Sequence, residues 1–549
     1  MTKHDVARYN YIVDILNNKG VKFQEIKGVR YVYEDTPYWD KAKKQNRHER
    51  KYIGKLDGDG SFIPNKFFLS RQIETEGDDK EKANKPPIAR RMFFGAGHLL
   101  DRIGEQTGLA QDLDSVFGKA VSGMIQSLAY FLVIENESSM YRFGRFSKTC
   151  RHPWGENIPS QRVSEIFSGI SEGDKLSFFK LRAARCLKEE YLAYDTTSIS
   201  SYSEAIKSVK YGKNKDLEKL PQINLAIAFG DKSMTPVYYR KLPGNIGDVS
   251  TIRKLLGDMA SIGVKKAKFV LDRGFYSKDN FDNIYRKGYK FVAACKANTN
   301  IFKELMSEVR EPIKDFRNYN DSQGVYALSK SSFWTYEHKG RSGSKVVKKK
   351  INYFAYYDGE RAEREKVDFI KDLKSAEASY LSGEMTKGER ELMEAFFHTT
   401  ETTGGRIVER HNQEAIDKHL GTFGYFMLMS DHVTDAHQAL EIYRNKDVVE
   451  KAFFNVKHRL DMKRAKVSTE GSLDGKLFVQ FVALSYISRI HQVMTENDLY
   501  KDYSISTMLD ELYVIESFRY PGKKTHYSEI TKKQHEILSC FDASIDTTL

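Results

Sequence analysis

After Glu190 the spacing of apolar residues changes, and that change constrains the fold more than any other feature of the chain. The runs YLAYDTTSI, INLAIAF and PVYYRKL have the length and composition of strands rather than helices. A helical pattern, STIRKLLGDMASIG, then leads to KFVLD, and a second, SKDNFDNIYRKG, leads to YKFVAAC. Three strands in close succession followed by helix and strand in alternation predict an α/β fold. Its mixed sheet has central strands buried on both faces.

The 549 residues exceed what one hydrophobic core organises, so two to four domains are expected. Residues 1–73 mix short β-like runs such as Val29 to Tyr33 with a basic stretch around Lys41, Lys43, Lys44, Arg47, Arg50 and Lys51, and read as a small basic N-terminal domain. The charged, proline-terminated segment 74–87 reads as a linker. Over 88–189 the spacing is helical. Three or four helices with basic residues between them fit a DNA-binding bundle of helix-turn-helix type, and fit a helical support domain equally well. The α/β core occupies 190–297 and is interrupted at 298–421 by a polar segment. There, SSFWTYEH and KINYFAYYD, joined by KGRSGS, predict a β-rich insertion domain. The core resumes at 422–495 with the strand TFGYFMLMS and one long helix from Asp435 to about Asp461. Residues 496–549 are expected to be a helical C-terminal region.

Lysine and arginine total 88 against 75 acidic residues, a net charge of +13, which favours a polyanionic partner without proving one. Cys150, Cys186, Cys295 and Cys540 contain no C-x-x-C pair, so neither a disulfide framework nor a zinc knuckle is indicated. The opening MTKHDVARYN lacks the apolar run of a signal peptide, and the apolar stretch Leu477 to Ile487 is too short to span a bilayer. A cytoplasmic protein without membrane contact is the expectation.

Asp195 ends the run YLAYD and Asp272 ends KFVLD, so each apolar strand is expected to deliver a carboxylate where the strand gives out. Taken singly, an aspartate there is an ordinary turn former or helix cap. Side by side, the two would repel unless cations neutralise them, and hard oxygen donors without cysteine point to Mg²⁺ or Mn²⁺. A third acid lies in EIYRNKDVVEKAFFNVKHRLD. On one helix, Tyr443, Lys446, Glu450 and Lys457 fall within about 60° of arc. The same spacing also describes a solvated face on which Lys446 and Glu450 form an ordinary ion pair.

YDTTSIS around Asp195, LDRGFYS around Asp272 and YRNKDVVEKAFFNVK around Glu450 resemble the DDE transposases of bacterial insertion sequences, in the branch marked by a tyrosine, a basic residue, a glutamate and a lysine on one helix. VYEDTPYWDKAKKQNRHERKYIGKLDGDGSFIP resembles the amino-terminal region of some members, and the likeness reaches from about residue 30 to about residue 490. One departure is that the family's usual arginine is Lys446 here, with Arg444 two residues earlier.

The resemblance implies an RNase H-like core of the retroviral integrase type, with an insertion before the glutamate helix. It implies two Mg²⁺ ions per site, replaceable by Mn²⁺, held by Asp195, Asp272 and Glu450. The implied reaction is cut-and-paste transposition: cleavage at the inverted-repeat ends of an element in double-stranded DNA, then joining of the 3′-OH ends to target DNA by a homodimer. Tyr443, Arg444, Lys446 and Lys457 would contact DNA. Arg273 would touch a phosphate or simply orient Asp272, with Gly274 giving a permissive turn. Trp334 would stack on a flipped base or fill a β-domain core. The basic run Lys345, Lys348, Lys349 and Lys350 fits a solvated hairpin arm better than a DNA contact. Rival readings are a junction-resolving nuclease with the same metal chemistry, and a DNA-binding protein without catalysis.

Overall fold

The computed structural model describes residues 21–26, 29–40, 45–56, 62–65, 90–136, 139–187, 190–212, 214, 218–340, 343–402, 405–460, 464–520 and 523–546. The expected linker 74–87 lies outside them. The chain divides into two compact units. One comprises Met1–Phe178, Gly471–Tyr486 and Val493–Leu549, the other Phe179–Glu470 and Ile487–Gln492.

The second unit is mixed α/β, as the apolar pattern predicts, and is built on a nine-stranded sheet. Its strands are β1 (Tyr191–Ser200), β2 (Gln222–Gly230), β3 (Pro236–Pro243), β4 (Lys268–Leu271), β5 (Lys290–Ala294), β6 (Tyr319–Asn320), β7 (Val325–Gly340), β8 (Gly343–Tyr357) and β9 (Tyr425–Ser430). Across the sheet the order is β6, β7, β8, β9, β5, β4, β1, β2, β3. β4 runs parallel to both β1 and β5, and all other neighbours are antiparallel.

Every residue of β2 is buried, which explains why INLAIAF shows no polar alternation. Parallel neighbours need a crossover, and the helix Lys278–Lys287 supplies it between β4 and β5. Ser277 caps that helix by accepting from the Asn280 N–H, and Gly288 ends it at φ 71°, a left-handed conformation that glycine adopts without strain. Val270, Val292, Phe354 and Leu428 of the sheet pack with Ala439, Leu440 and Ile442 of the helix Ala436–Arg444.

The expected β-rich insertion at 298–421 needs correction. β7 and β8 form a long hairpin, but β8 pairs with β9 from Asn352–Ser430 to Tyr357–Tyr425, so the hairpin extends the central sheet. What is inserted between β8 and β9 is mostly helical: Gly359–Ser382, Lys387–Phe396 and Gln413–Leu420, with one hairpin, Phe397–Thr402 and Gly405–His411. It has its own core of Phe369, Leu373, Ala376, Tyr380, Met393, Phe396 and Phe397. Residues 369, 373, 376 and 380 already follow a helical stripe in the sequence, among charges that masked it.

The first unit holds a four-stranded antiparallel sheet of Val21–Ile26, Val29–Asp40, Gln45–Leu56 and Phe62–Pro64. It also holds the helices Gly95–Gln106, Leu109–Glu135, Phe143–Thr149 and Ser160–Gly169. A free-standing helical domain over 88–189 does not form, because the C-terminal half of the chain completes its interior. Residues 471–486 of the helix Glu470–Glu496, expected in the α/β core, belong to this unit instead. Phe478 packs on Phe117 and Phe178 at 5.4 and 5.1 Å between ring centroids. A Cβ on Gly475 would stand 2.2 Å from the Phe167 carbonyl oxygen, so only glycine permits that approach. Leu109–Glu135 is 27 residues long and apolar enough to cross a bilayer by composition, yet 61% of its most apolar window is buried inside the protein. Within it, Tyr130 donates to Asp101 (3.0 Å), and Gln126 accepts from the Tyr486 hydroxyl (3.2 Å). Such pairings suit the centre of a protein core.

Candidate active site

The sheet register brings the first two acids together. Tyr194 of β1 lies beside Leu271 of β4 in the parallel pair, so Asp195 and Asp272 are the next residues on adjacent strands, about 4.8 Å apart in the pairing direction. Only one of the two strands stops there. β1 continues to Ser200, paired with β2, so Asp195 sits in mid-strand at the point where its neighbour ends. The expectation that Asp195 ends its strand is corrected accordingly. Thr196 N–H donates to Asp195 Oδ1 at 2.7 Å.

Asp272 follows β4 and caps a short turn, accepting from the Arg273 N–H at 2.8 Å and from the Tyr443 hydroxyl at 2.7 Å. Both bonds fall on Oδ1. Burial alone would raise this carboxyl. The Lys446 ammonium, the Tyr443 hydroxyl, and the Arg273 N–H and guanidinium together outweigh it and hold Asp272 below the usual carboxylate range. The same contact, together with burial, pushes the Tyr443 phenol upward.

The third acid arrives on a broken helix. Instead of one helix from Asp435 to Asp461 there are two, Ala436–Arg444 and Asp447–Phe454, followed by a π-helical turn at Asn455–Arg459. Tyr443 closes the first helix, Lys446 lies in the connecting turn, and Glu450 is in the first turn of the second, where its charge complements the helix dipole. The single continuous face expected for Tyr443, Lys446, Glu450 and Lys457 is therefore interrupted. The side chain of Lys457 lies outside the described residues.

Lys446 Nζ donates to Glu450 Oε1 at 2.9 Å and lies 5.5 Å from the Tyr443 ring centroid. Its side chain is 18% exposed, that of Glu450 60%. Burial would lower the Lys446 ammonium. Its bond to Glu450 and the charges of Asp272, Glu450 and Asp195 prevail and raise it. All three acids thus bear on one ammonium. Among the described residues, no three Asp, Glu, His or Cys side chains are grouped closely enough to hold an ion as they stand. The Glu450 carboxylate is engaged by Lys446.

Of the remaining candidates, Arg273 is exposed, and its backbone and charge both bear on Asp272. Arg444 is exposed and donates to the Gln323 carbonyl at 3.1 Å, tying the helix end to the turn between β6 and β7. Trp334 requires correction. It is 8% exposed, its indole N–H donates to Asp282 at 2.7 Å, and it packs on Phe281 and under Lys278. An indole so bonded fills the core beneath the hairpin and has no face free for a base. Lys345, Lys348, Lys349 and Lys350 are exposed along β8. Sequence reasoning missed the Tyr443–Asp272 bond, since nothing in the spacing says which carboxylate a phenol across the sheet will find.

Residues 187–487, which span the sheet and all three acids, match the family described as transposase DDE domain. That match covers more than half of the chain, and the chain belongs to this family, whose work is DNA transposition. No curated protein matches the sequence. Among solved structures, a piggyBac transposase synaptic complex with hairpin DNA aligns at 12% identity and TM-score 0.35, covering 77% of this chain and 78% of that one.

Proposed function

We propose that this protein is a DNA transposase of the cut-and-paste kind, in which Asp195, Asp272 and Glu450 hold two divalent cations, Mg²⁺ or in its place Mn²⁺. The observation that carries the reading is the β1–β4 register, which sets Asp195 beside Asp272, with Lys446 under the influence of these two and Glu450 alike. The succession β3, β2, β1, β4, β5, with β2 antiparallel to its neighbours, supports an RNase H-like core.

The donor set suits hard cations: three carboxylates and no thiolate. When bound, such ions would supply a nucleophile at neutral pH and relieve charge on the leaving oxygen. In this reading Asp195, Asp272 and Glu450 would together hold the ions.

The chain's own residues prepare that arrangement. The Arg273 N–H and the Tyr443 hydroxyl hold Asp272 through Oδ1 and leave Oδ2 to the site. Glu450, bound by Lys446 and largely exposed, swings from the ammonium toward the two aspartates, and the released Lys446 meets a DNA phosphate. Water attacks first and the freed 3′-hydroxyl second, so no covalent protein intermediate is needed. The substrates are duplex inverted-repeat ends and target DNA, brought together by a homodimer in a bacterial cytoplasm.

Inverted repeats flanking the encoding gene supply the test substrate. Cleavage of those ends and their transfer to a plasmid should require Mg²⁺ or Mn²⁺ and disappear with Asp195→Asn. Cleavage that persists in that variant, or in excess chelator, refutes the assignment.

A further inference from the structure

A positive charge without a paired acid lies in the first unit, on a three-stranded sheet that joins segments far apart in the sequence: Arg90–Phe93, Glu516–Arg519 and Thr525–Tyr527. Its antiparallel register sets Arg90 directly opposite Arg519. Such partners project from the same face with Cβ atoms about 5 Å apart, and like charges so placed oppose folding. The neighbouring Arg91 shows how the sheet treats a charge it means to neutralise: Glu516 accepts from it twice, at 2.7 and 2.5 Å. Arg90 and Arg519 are both exposed, and among the described residues neither forms an ion pair.

More cations adjoin the pair. The hairpin continues through Tyr520, 47% exposed, to Lys523 and Lys524, which are exposed beside Thr525. The Lys523 N–H closes the turn on the Tyr520 carbonyl at 3.1 Å. Beside Arg90, a cavity of about 290 Å³ is lined by Arg91, Ser147, Lys148 and Asn157, with Glu156 as its single acid. This platform is firmly seated. Phe93 stacks on Tyr513 at 4.6 Å, and the N–H groups of Phe94 and Gly95 both donate to the carbonyl of fully buried Ile515.

We propose that Arg90, Arg519, Lys523, Lys524 and Lys148 form a surface that grips the phosphate backbone of duplex DNA, with the C-terminal hairpin as its outer edge. The cations are spread along a strand and a turn rather than gathered about one point, which matches a linear polyanion better than a single phosphate group. A like-charge pair that costs the free protein stability is offset once phosphates lie across it. The inference rests on the transposase reading and gives the chain's last segment a part in it.

Binding of the full chain to a labelled duplex of unrelated sequence, followed by anisotropy across a salt series, tests the surface. Arg90→Gln/Arg519→Gln should weaken binding about tenfold and reduce the slope of log affinity against log salt by about 2, the value for two lost phosphate contacts. Its melting temperature should stay level or rise, because repulsion is removed. Lys523→Gln/Lys524→Gln, altered only at exposed positions, should show a similar loss. Wild-type affinity and slope in both variants overturn the inference. Metal-dependent end cleavage by the wild type is scored in parallel: cleavage intact but binding insensitive to both variants sinks only this surface. Binding that depends on the arginines in a wild type that never cleaves sinks only the transposase reading.

Discussion

Asp272 and Glu450 are carboxylates of one site held in opposite ways. Asp272 is fixed at a strand end by two hydrogen bonds to a single oxygen, one from its own chain neighbour and one from a half-buried phenol. Glu450 stands on a short helix after a break, 60% exposed, with one ion-pair partner. Two charge-assisted hydrogen bonds from fixed donors hold geometry, whereas one pair to a largely exposed carboxylate contributes little and exchanges readily. The site therefore has a rigid half, made by sheet register, and an adjustable half, made by a helix that can re-aim its acid. Under the proposed function, such a division would let one carboxylate wait for DNA while the other two stay in place.

The largest expected effect falls on both halves together. Asp272→Asn and Glu450→Gln should each reduce end cleavage by about a thousandfold or more, roughly 4 kcal/mol of barrier, measured as single-turnover product. A Glu450→Gln enzyme with ordinary cleavage would remove the adjustable half from the chemistry.

Trp334→Ala probes the rigid half from behind. It empties a packed site and removes one of the donors to Asp282, which keeps Lys278, and should destabilise the protein by about 3–4 kcal/mol in denaturant unfolding. Trp334→Phe should leave the fluorescence of a base analogue at the element's end unchanged. A changed signal would reinstate the stacking role rejected above.

Tyr443→Phe sharpens the contrast at lower amplitude, with an expected loss of about 1 kcal/mol in stability and a several-fold fall in cleavage. Because Asp272 is depressed in the folded protein, its contribution is complete above about pH 4 and is lost as pH falls through the folded value. Without the phenol that folded value rises toward the unfolded one, so the variant should lose less stability to acid, and the loss should be complete at a higher pH. Identical acid unfolding curves would mean that the hydroxyl does not hold the carboxylate. Smallest of all, Glu450→Gln should shift stability by less than about 0.5 kcal/mol, since among the described residues this largely exposed carboxylate makes a single ion pair. A larger shift would show that this half is not adjustable.

Much of this was legible before any coordinates. The buried strands, the crossover helix with Ser277 at its head and Gly288 at its tail, and the two aspartates after apolar runs all follow from local pattern. What failed was everything set by distant partners. SSFWTYEH and KINYFAYYD read correctly as strands, but the strand they join lies far along the chain, and periodicity carries no record of that partner. The helix break at Asn445 and Lys446 was missed because no proline or glycine marks it. Residues 471–486 looked like a neighbour of the α/β core because they follow it in sequence, yet their apolar faces belong with helices near the chain's start.

By itself, then, the sequence determined the identity of the elements, the acids that sit on them and the family they mark, because helix and strand periodicity and motif order are written in consecutive residues. Tertiary structure alone decided that β1 runs on past Asp195, that Tyr443 holds Asp272, that Lys446 stands among three carboxylates, and that segments far apart in the sequence share one basic sheet. Each of these depends on which surfaces meet across long stretches of chain, and that choice is made by the burial and hydrogen bonding of the whole molecule rather than by any segment of it.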